Sequence, residues 1–142
     1  MEIKNIMTKT VATINAEDTV ERAAQMMKEH NVGSVPVCRG ENVVGIITDR
    51  DIALRSAAEG QNVHQQKVKD IMTSNPVTGA PTMDVHEAAR LMSERQIRRL
   101  PIVENNKVVG IVALGDLAVE PKFANEAESA LSNISTPASP EI

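Results

Sequence analysis

Apolar positions recur along this chain in a helical and an extended register, and the same order of registers occurs twice. Val20, Ala23, Ala24 and Met27 fall at i, i+3, i+4 and i+7, as do Val85, Ala88, Ala89 and Met92, the spacing of a buried stripe on a helix. Asp18 with Glu21, and Asp84 with Glu87, place an acceptor and a reciprocal partner three residues on, which predicts that both helices begin there. A short apolar stretch precedes each helix, residues 10–14 and 76–78, and reads as a strand. Residues 35–38 and 43–47 are β-branched runs separated by Arg39-Gly40-Glu41-Asn42, which is turn chemistry and predicts a hairpin. Residues 100–103 and 108–112 repeat the hairpin, and residues 52–58 and 115–119 supply a second helix, opened in the first copy by Asp49 or Asp51.

The two series are copies of one unit. A shift of 65 positions lays Lys4-Asn5-Ile6-Met7-Thr8 on Lys69-Asp70-Ile71-Met72-Thr73 and Val43-Val44-Gly45-Ile46 on Val108-Val109-Gly110-Ile111. It also lays Pro36 on Pro101 and Asp51 on Asp116, without a gap. The organisation expected is a repeat over residues 1–60, a repeat over 66–120 and a tail over 121–142. Each repeat reads β-α-β-β-α, an α+β unit too small to bury both faces of its sheet alone. Two such units are expected to pack sheet to sheet about a pseudo-twofold axis, with clefts lined by both copies. In the tail, Phe123, Ala127, Leu131 and Ile134 fall at helical spacing, which predicts one short helix and disorder after Ser135. That helix is expected to cover an apolar patch of its own chain, the alternative being a partner subunit.

Composition narrows the function. Aromatic residues make up 1% of the chain, with Phe123 alone, and the net charge is -4, so the stacking platforms and basic surface of a nucleic-acid binder are missing. The core must be aliphatic. The single Cys38 sits in an apolar run and reads as a buried, reduced thiol, which points to the cytoplasm. No apolar run approaches the ~20 residues that span a bilayer, and the first ten residues lack a signal-peptide core. Membrane and nucleic acid are therefore not expected as partners.

The duplicated Ile-Met-Thr opening, the Val-Gly-Ser-Val-Pro-Val and Ile-Arg-Arg-Leu-Pro-Ile segments, and Gly-Ile-Ile-Thr-Asp-Arg-Asp after the last strand together resemble CBS repeats, named for cystathionine β-synthase. The likeness covers residues 1 to about 120 and is closest to stand-alone bacterial two-repeat proteins. It implies a regulatory module that binds AMP, ADP, ATP or a related adenosyl ligand and senses energy or stress. It also implies a homodimer and a separate effector protein, with no cofactor required. In such proteins the carboxylate after the last strand accepts from the ribose hydroxyls. The resemblance gives that role to Asp51, with Thr48 offering a hydroxyl to ribose or phosphate; capping of the helix by either residue is the plainer alternative. The second copy keeps Asp116 but has Ala113 in place of the threonine.

Arg98 and Arg99 stand where the first copy has Gly33 and Ser34, and the resemblance turns them toward ligand phosphates, a role that suits the guanidinium fork. Val11, Val35 and Pro36, or Val77, Leu100 and Pro101, are the expected aliphatic walls of the adenine, and Ser34 is a further nucleotide-binding candidate. Arg50 and Arg55 are weaker phosphate candidates. His30, His64 and His86 have no ligand spacing with Cys38, and no nucleophile, acid–base or Gly-rich phosphate motif can be assembled, so neither metal nor catalysis is expected. The rival reading is an interaction protein that has kept the fold and lost its ligand, suggested by Ala113 and by Gly33-Ser34.

Overall fold

The computed structural model describes residues 1–118 and 124–135. A 3-10 turn at Ile3–Asn5 precedes β1 (Ile14–Asn15), α1 (Val20–His30), β2 (Ser34–Arg39), β3 (Asn42–Thr48) and α2 (Asp49–Ile52), which runs into a π turn at Ala53–Ala57. A second 3-10 turn at Val68–Asp70 leads to β4 (Thr73–Ser74), α3 (Val85–Arg95), β5 (Arg99–Glu104), β6 (Lys107–Ala113), α4 (Leu114–Ala118) and α5 (Ala124–Ser135). The class is α+β with mixed pairing: β1 lies parallel to β2, and β2 antiparallel to β3.

Both hairpins form where expected, and their loops explain themselves. Gly40 takes φ 60° after β2, and Asn105 and Asn106 take φ 52° and 62° after β5. Two consecutive left-handed residues are what a type I′ turn requires, and asparagine tolerates that region better than most residues. The helix starts differ from expectation in one case. Asp84 caps α3, accepting from the His86 N–H at 2.8 Å, whereas α1 is capped by Thr19, which accepts from the Arg22 N–H at 3.2 Å. Asp18 is held one position outside the helix because its carbonyl accepts from the Val68 N–H at 2.8 Å. The buried stripe of α1 is Val20, Ala23, Met26 and Met27, while Ala24 is exposed. Its counterpart Ala89 is buried in the core that α5 joins through Ala127 and Ala130, and the first repeat has no such helix.

Residues 10–14 and 76–78 do not form the expected strands. Only Ile14 and Asn15 pair with β2, and in the second copy the equivalent contact is a single bridge from Gly79 to Ile102. Pro76 has no N–H to give a ladder. The chain pairs instead at β4, where Thr73 and Ser74 meet Ile46 and Gly45 of β3. The expected second helix of the first copy is also divided, α2 ending at Ile52 before the π turn.

Two compact units emerge, and they cut across the repeats. One comprises Met1–Thr10, Val77–Glu104 and the described residues from Val109 onward; the other comprises Val11–Pro76 and Asn105–Val108. Ile3 is fully buried with α3, β5 and β6, while Val68 and Ile71 are buried with α1, β2 and β3. Each repeat's opening segment thus completes the core built by the other repeat's helix and hairpin. Glycine makes the fit possible. A Cβ on Gly45 would stand 2.6 Å from Met72 Sδ and 2.8 Å from the Thr73 carbonyl oxygen, and one on Gly110 would meet Met7 and the Thr8 carbonyl.

The segment between the repeats is fastened to the start of α1. The Val20 and Glu21 N–H groups, which lack partners within the helix, donate to the carbonyls of Gln66 and Val63 at 2.9 and 3.0 Å. The Glu17 carboxylate accepts from Lys67 at 2.9 Å and Lys69 at 3.0 Å. Helix α5 lies along α3, where the Asn133 amide donates to the Ser93 carbonyl at 2.6 Å and Gln96 donates to the Asn133 carbonyl at 3.1 Å. The tail helix therefore covers its own chain. Phe123 and the stretch after Ser135 lie outside the described residues.

Gly45→Ala is expected to cost about 1 to 3 kcal/mol in urea unfolding, since a backbone oxygen cannot yield. Gly115→Ala, with open space at that position, is expected to fall within about 0.5 kcal/mol of the parent. Bonding to Lys67 and Lys69 lowers the Glu17 pKa from its ordinary 4.5 to about 2. A carboxylate lowered on folding stabilises above its unfolded pKa and loses that contribution as pH falls through the folded value. The stability gap between the parent and Glu17→Gln should therefore be fully open at pH 6 and close between about 4.5 and about 2.

Candidate functional site

Strand alternation decides which residues of the first repeat look outward. In β2, Val35 and Val37 are 1% and 0% exposed and belong to the core, as does Ile47 opposite Val35. The other face of the hairpin carries Ser34 opposite Thr48 and Pro36 opposite Ile46. The Val35 side chain, expected as an adenine wall, is thus turned into the core, and Leu100 is fully buried in the core of the other unit. Ile46 is the residue the sequence reading missed. It is half-buried on the same face as Thr48, and its alternation with the core residue Ile47 is visible in the sequence.

The end of β3 and the start of α2 form a reciprocal pair. The Thr48 hydroxyl accepts from the Asp51 N–H at 3.0 Å, and the Asp51 carboxylate Oδ2 accepts from the Thr48 N–H at 3.0 Å. Asp51 is 7% exposed, an acid otherwise seldom buried to that degree unless paired. Its second oxygen, Oδ1, faces Arg55 Nε at 3.9 Å. Capping is therefore real at this position, and it leaves the carboxylate held rigidly by one oxygen at the strand edge. Beside Thr48, the Ser34 Oγ is buried without a hydrogen-bonding partner. Such an orphaned hydroxyl is uncommon in a native fold and calls for an explanation.

In the second repeat Asp116 retains half of this arrangement, its Oδ2 accepting from the Ala113 N–H at 2.9 Å. Ala113 has no hydroxyl to return. The change from Gly33 to Arg98 has a local cause as well. A Cβ on Gly33 would lie 3.1 Å from the Asp49 carboxylate, so the first repeat keeps that position bare. In the second repeat Leu114 replaces Asp49 and turns into the core, and its N–H donates to the Arg98 carbonyl at 2.8 Å, as the Asp49 N–H does to Gly33 at 2.9 Å. Arg98 is exposed and Arg99 half-buried; Pro36 and Pro101 are buried, while Val11 and Val77 are half-buried. Arg50 is exposed, whereas Arg55 donates from Nη1 to the Ile71 carbonyl at 3.2 Å.

Other chemistry is sparse. Among the described residues, no group of three His, Cys, Asp or Glu side chains is placed to hold a metal ion, and no helix is long and apolar enough to cross a membrane. Cys38 is a free, buried thiol whose pKa is pushed up by that burial.

Comparison with known proteins identifies the family and the fold. The CBS domain pattern matches residues 3–57 and 68–121. A CBS domain-containing protein of Bacillus subtilis, YhcV, is 49% identical over 133 residues, covering 94% of each chain. The solved structure of Hypoxic Response Protein I with two coordinated zinc ions superposes with a TM-score of 0.78 at 28% identity, over 84% of this chain and 98% of that one. The CBS domain pair of protein MJ0100, in complex with 5-methylthioadenosine and S-adenosyl-L-methionine, superposes with a TM-score of 0.75 at 29% identity, over 89% of this chain and 98% of that one.

Thr48→Ala removes the hydroxyl that caps α2 and should lower stability by about 1 kcal/mol in chemical unfolding, with Thr48→Ser close to the parent.

Proposed function

The chain belongs to the CBS domain family, and from that premise we propose that it is a regulatory module whose first-repeat site binds an adenine nucleotide or a related adenosyl compound. The observation that carries this reading is Asp51: a buried carboxylate fixed through Oδ2 by the Thr48 N–H, with Oδ1 directed away from that bond. A carboxylate set in this way accepts from two vicinal hydroxyls, as a ribose presents them, without the cost of ordering a flexible side chain. The unpartnered Ser34 Oγ on the same face supplies a further polar contact, and the half-buried Ile46 and Val11 supply aliphatic surface for a base in a chain almost without aromatics. Support also comes from the MJ0100 domain pair, solved with two adenosyl compounds.

The second repeat is proposed as the weaker site. It keeps Asp116 and adds Arg98 and Arg99, which favour a phosphate-bearing ligand, but lacks the Thr48 hydroxyl. Association as a homodimer and transmission of the ligand signal to a separate effector complete the proposal.

Thermal unfolding against AMP, ADP, ATP, S-adenosylmethionine and GMP tests the ligand class, because ligand at ~100 times its dissociation constant adds ~2.7 kcal/mol. Asp51→Ala should lose roughly ten- to a hundredfold in affinity, from about 1.5 to 3 kcal/mol of charged hydrogen bonding. Asp116→Ala should lose less. A panel with no shift, or an Asp51→Ala isotherm identical to the parent, overturns the site and leaves the ligand-free interaction protein.

A further inference from the structure

Among the described residues, Arg55 is the cation paired with the candidate ribose carboxylate, and it does not stop there. Its Nε faces Asp51 Oδ1 at 3.9 Å while its Nη1 donates to the Ile71 carbonyl at 3.2 Å. Ile71 is 2% exposed in the core that α1, β2 and β3 enclose, and it directly precedes Met72, which lies against Gly45, and Thr73, which pairs with Ile46. Arg55 itself sits in the middle of the π turn at Ala53–Ala57, closed by the Ala58 N–H donating to the Ala53 carbonyl at 2.9 Å. Such turns occur often at functional positions, because one additional residue redirects the side chains of a helix. One planar guanidinium thus joins a site carboxylate to the segment with which the second repeat begins.

We infer that Arg55 is a positioning residue for Asp51 and couples occupancy of the first-repeat site to the anchoring of residues 71–74. The inference rests on the reading of Asp51 as the ligand carboxylate. Two consequences follow from the geometry. Thr48 fixes Oδ2 by a hydrogen bond, and Arg55 sets a positive charge 3.9 Å from Oδ1, an ion pair that favours the same orientation of the carboxylate before any ligand arrives. When ribose hydroxyls hold the carboxylate from its remaining lone pairs, the guanidinium is held in turn, and its bond to the Ile71 carbonyl persists for a larger fraction of the time. Ligand binding is thereby transmitted to β4 and to its pairing with the strand that ends in Thr48. A lysine ammonium, a compact point charge, cannot serve both partners as the fork does. The repeat register lays Glu120 on position 55, so the device belongs to the first repeat alone.

The test is titration of the full chain and of Asp51→Ala, Arg55→Gln and Arg55→Lys with AMP and with ATP, with hydrogen exchange of residues 72–74 followed in each. In the parent, nucleotide is expected to slow exchange at residues 72–74 several-fold. Arg55→Gln should bind roughly three- to tenfold more weakly, the range of coupling between contacting residues, and should lose the ligand-dependent slowing. Arg55→Lys should recover most of the affinity and none of the slowing. If Asp51→Ala loses affinity while Arg55→Gln matches the parent in both readouts, the coupling is wrong and the site stands. If Arg55→Gln exchanges faster throughout the chain yet keeps the same ligand-dependent slowing, the residue is merely structural and the inference also falls. If neither nucleotide binds the parent, or Asp51→Ala binds as the parent does, the site reading fails and takes the coupling with it.

Discussion

The contact on which the rest of the structure depends is the packing of each Ile-Met-Thr segment against a glycine in the other repeat's last strand. Met72 and Thr73 occupy the space that a side chain at Gly45 would need, and Met7 and Thr8 do the same at Gly110. With the glycines in place, the backbone of the incoming segment reaches pairing distance, forming β4 on β3 and the bridge from Thr8 to Ile111. Ile3 and Val68 are then carried into cores that would otherwise be open at one end. Neither compact unit can be assembled from one repeat, because each takes its closing segment from the other.

This exchange gives the candidate site its footing. Thr48 ends β3 three residues beyond Gly45, Asp51 follows in α2, and their reciprocal hydrogen bonds convert the strand into a helix within one turn. Burial of Asp51 leaves a carboxylate that cannot relax toward solvent, so its direction is set before anything binds. A rigid acceptor at a strand edge, rather than a flexible surface acid, is what distinguishes this position from the many other carboxylates of an acidic chain.

The two copies correspond in their opening segments and in Gly45 and Gly110, which close both cores in the same way, and differ at the junction of strand and helix. Thr48 against Ala113 and the Gly33–Asp49 pair against Arg98–Leu114 are paired changes, each local to the junction of strand and helix. In the first repeat a carboxylate occupies the space above a bare glycine; in the second an aliphatic side chain retires into the core and an arginine takes the surface. Helix α5 adds a third difference, drawing Ala89 into a core while Ala24 stays in water.

Much of this was legible in the sequence. The register of 65, the helix stripes and the hairpins follow from residue type and spacing, because secondary structure and alternation are local consequences of side-chain chemistry, while Asp51 and Asp116 come forward as site candidates through the resemblance to CBS repeats. The cap of α1 lies one residue beyond the Asp18 that the pattern predicts, since the main chain of Asp18 is bound to Val68, 50 positions away. The strand expected at residues 76–78 does not form because pairing is decided by the partner strand, and alternation turns Val35 and Leu100, expected beside the adenine, into the cores. Which segment closes which core, and which hydroxyl is left without a partner, only the tertiary structure decided. Those depend on contacts between residues distant in the chain, and local patterning carries no record of them.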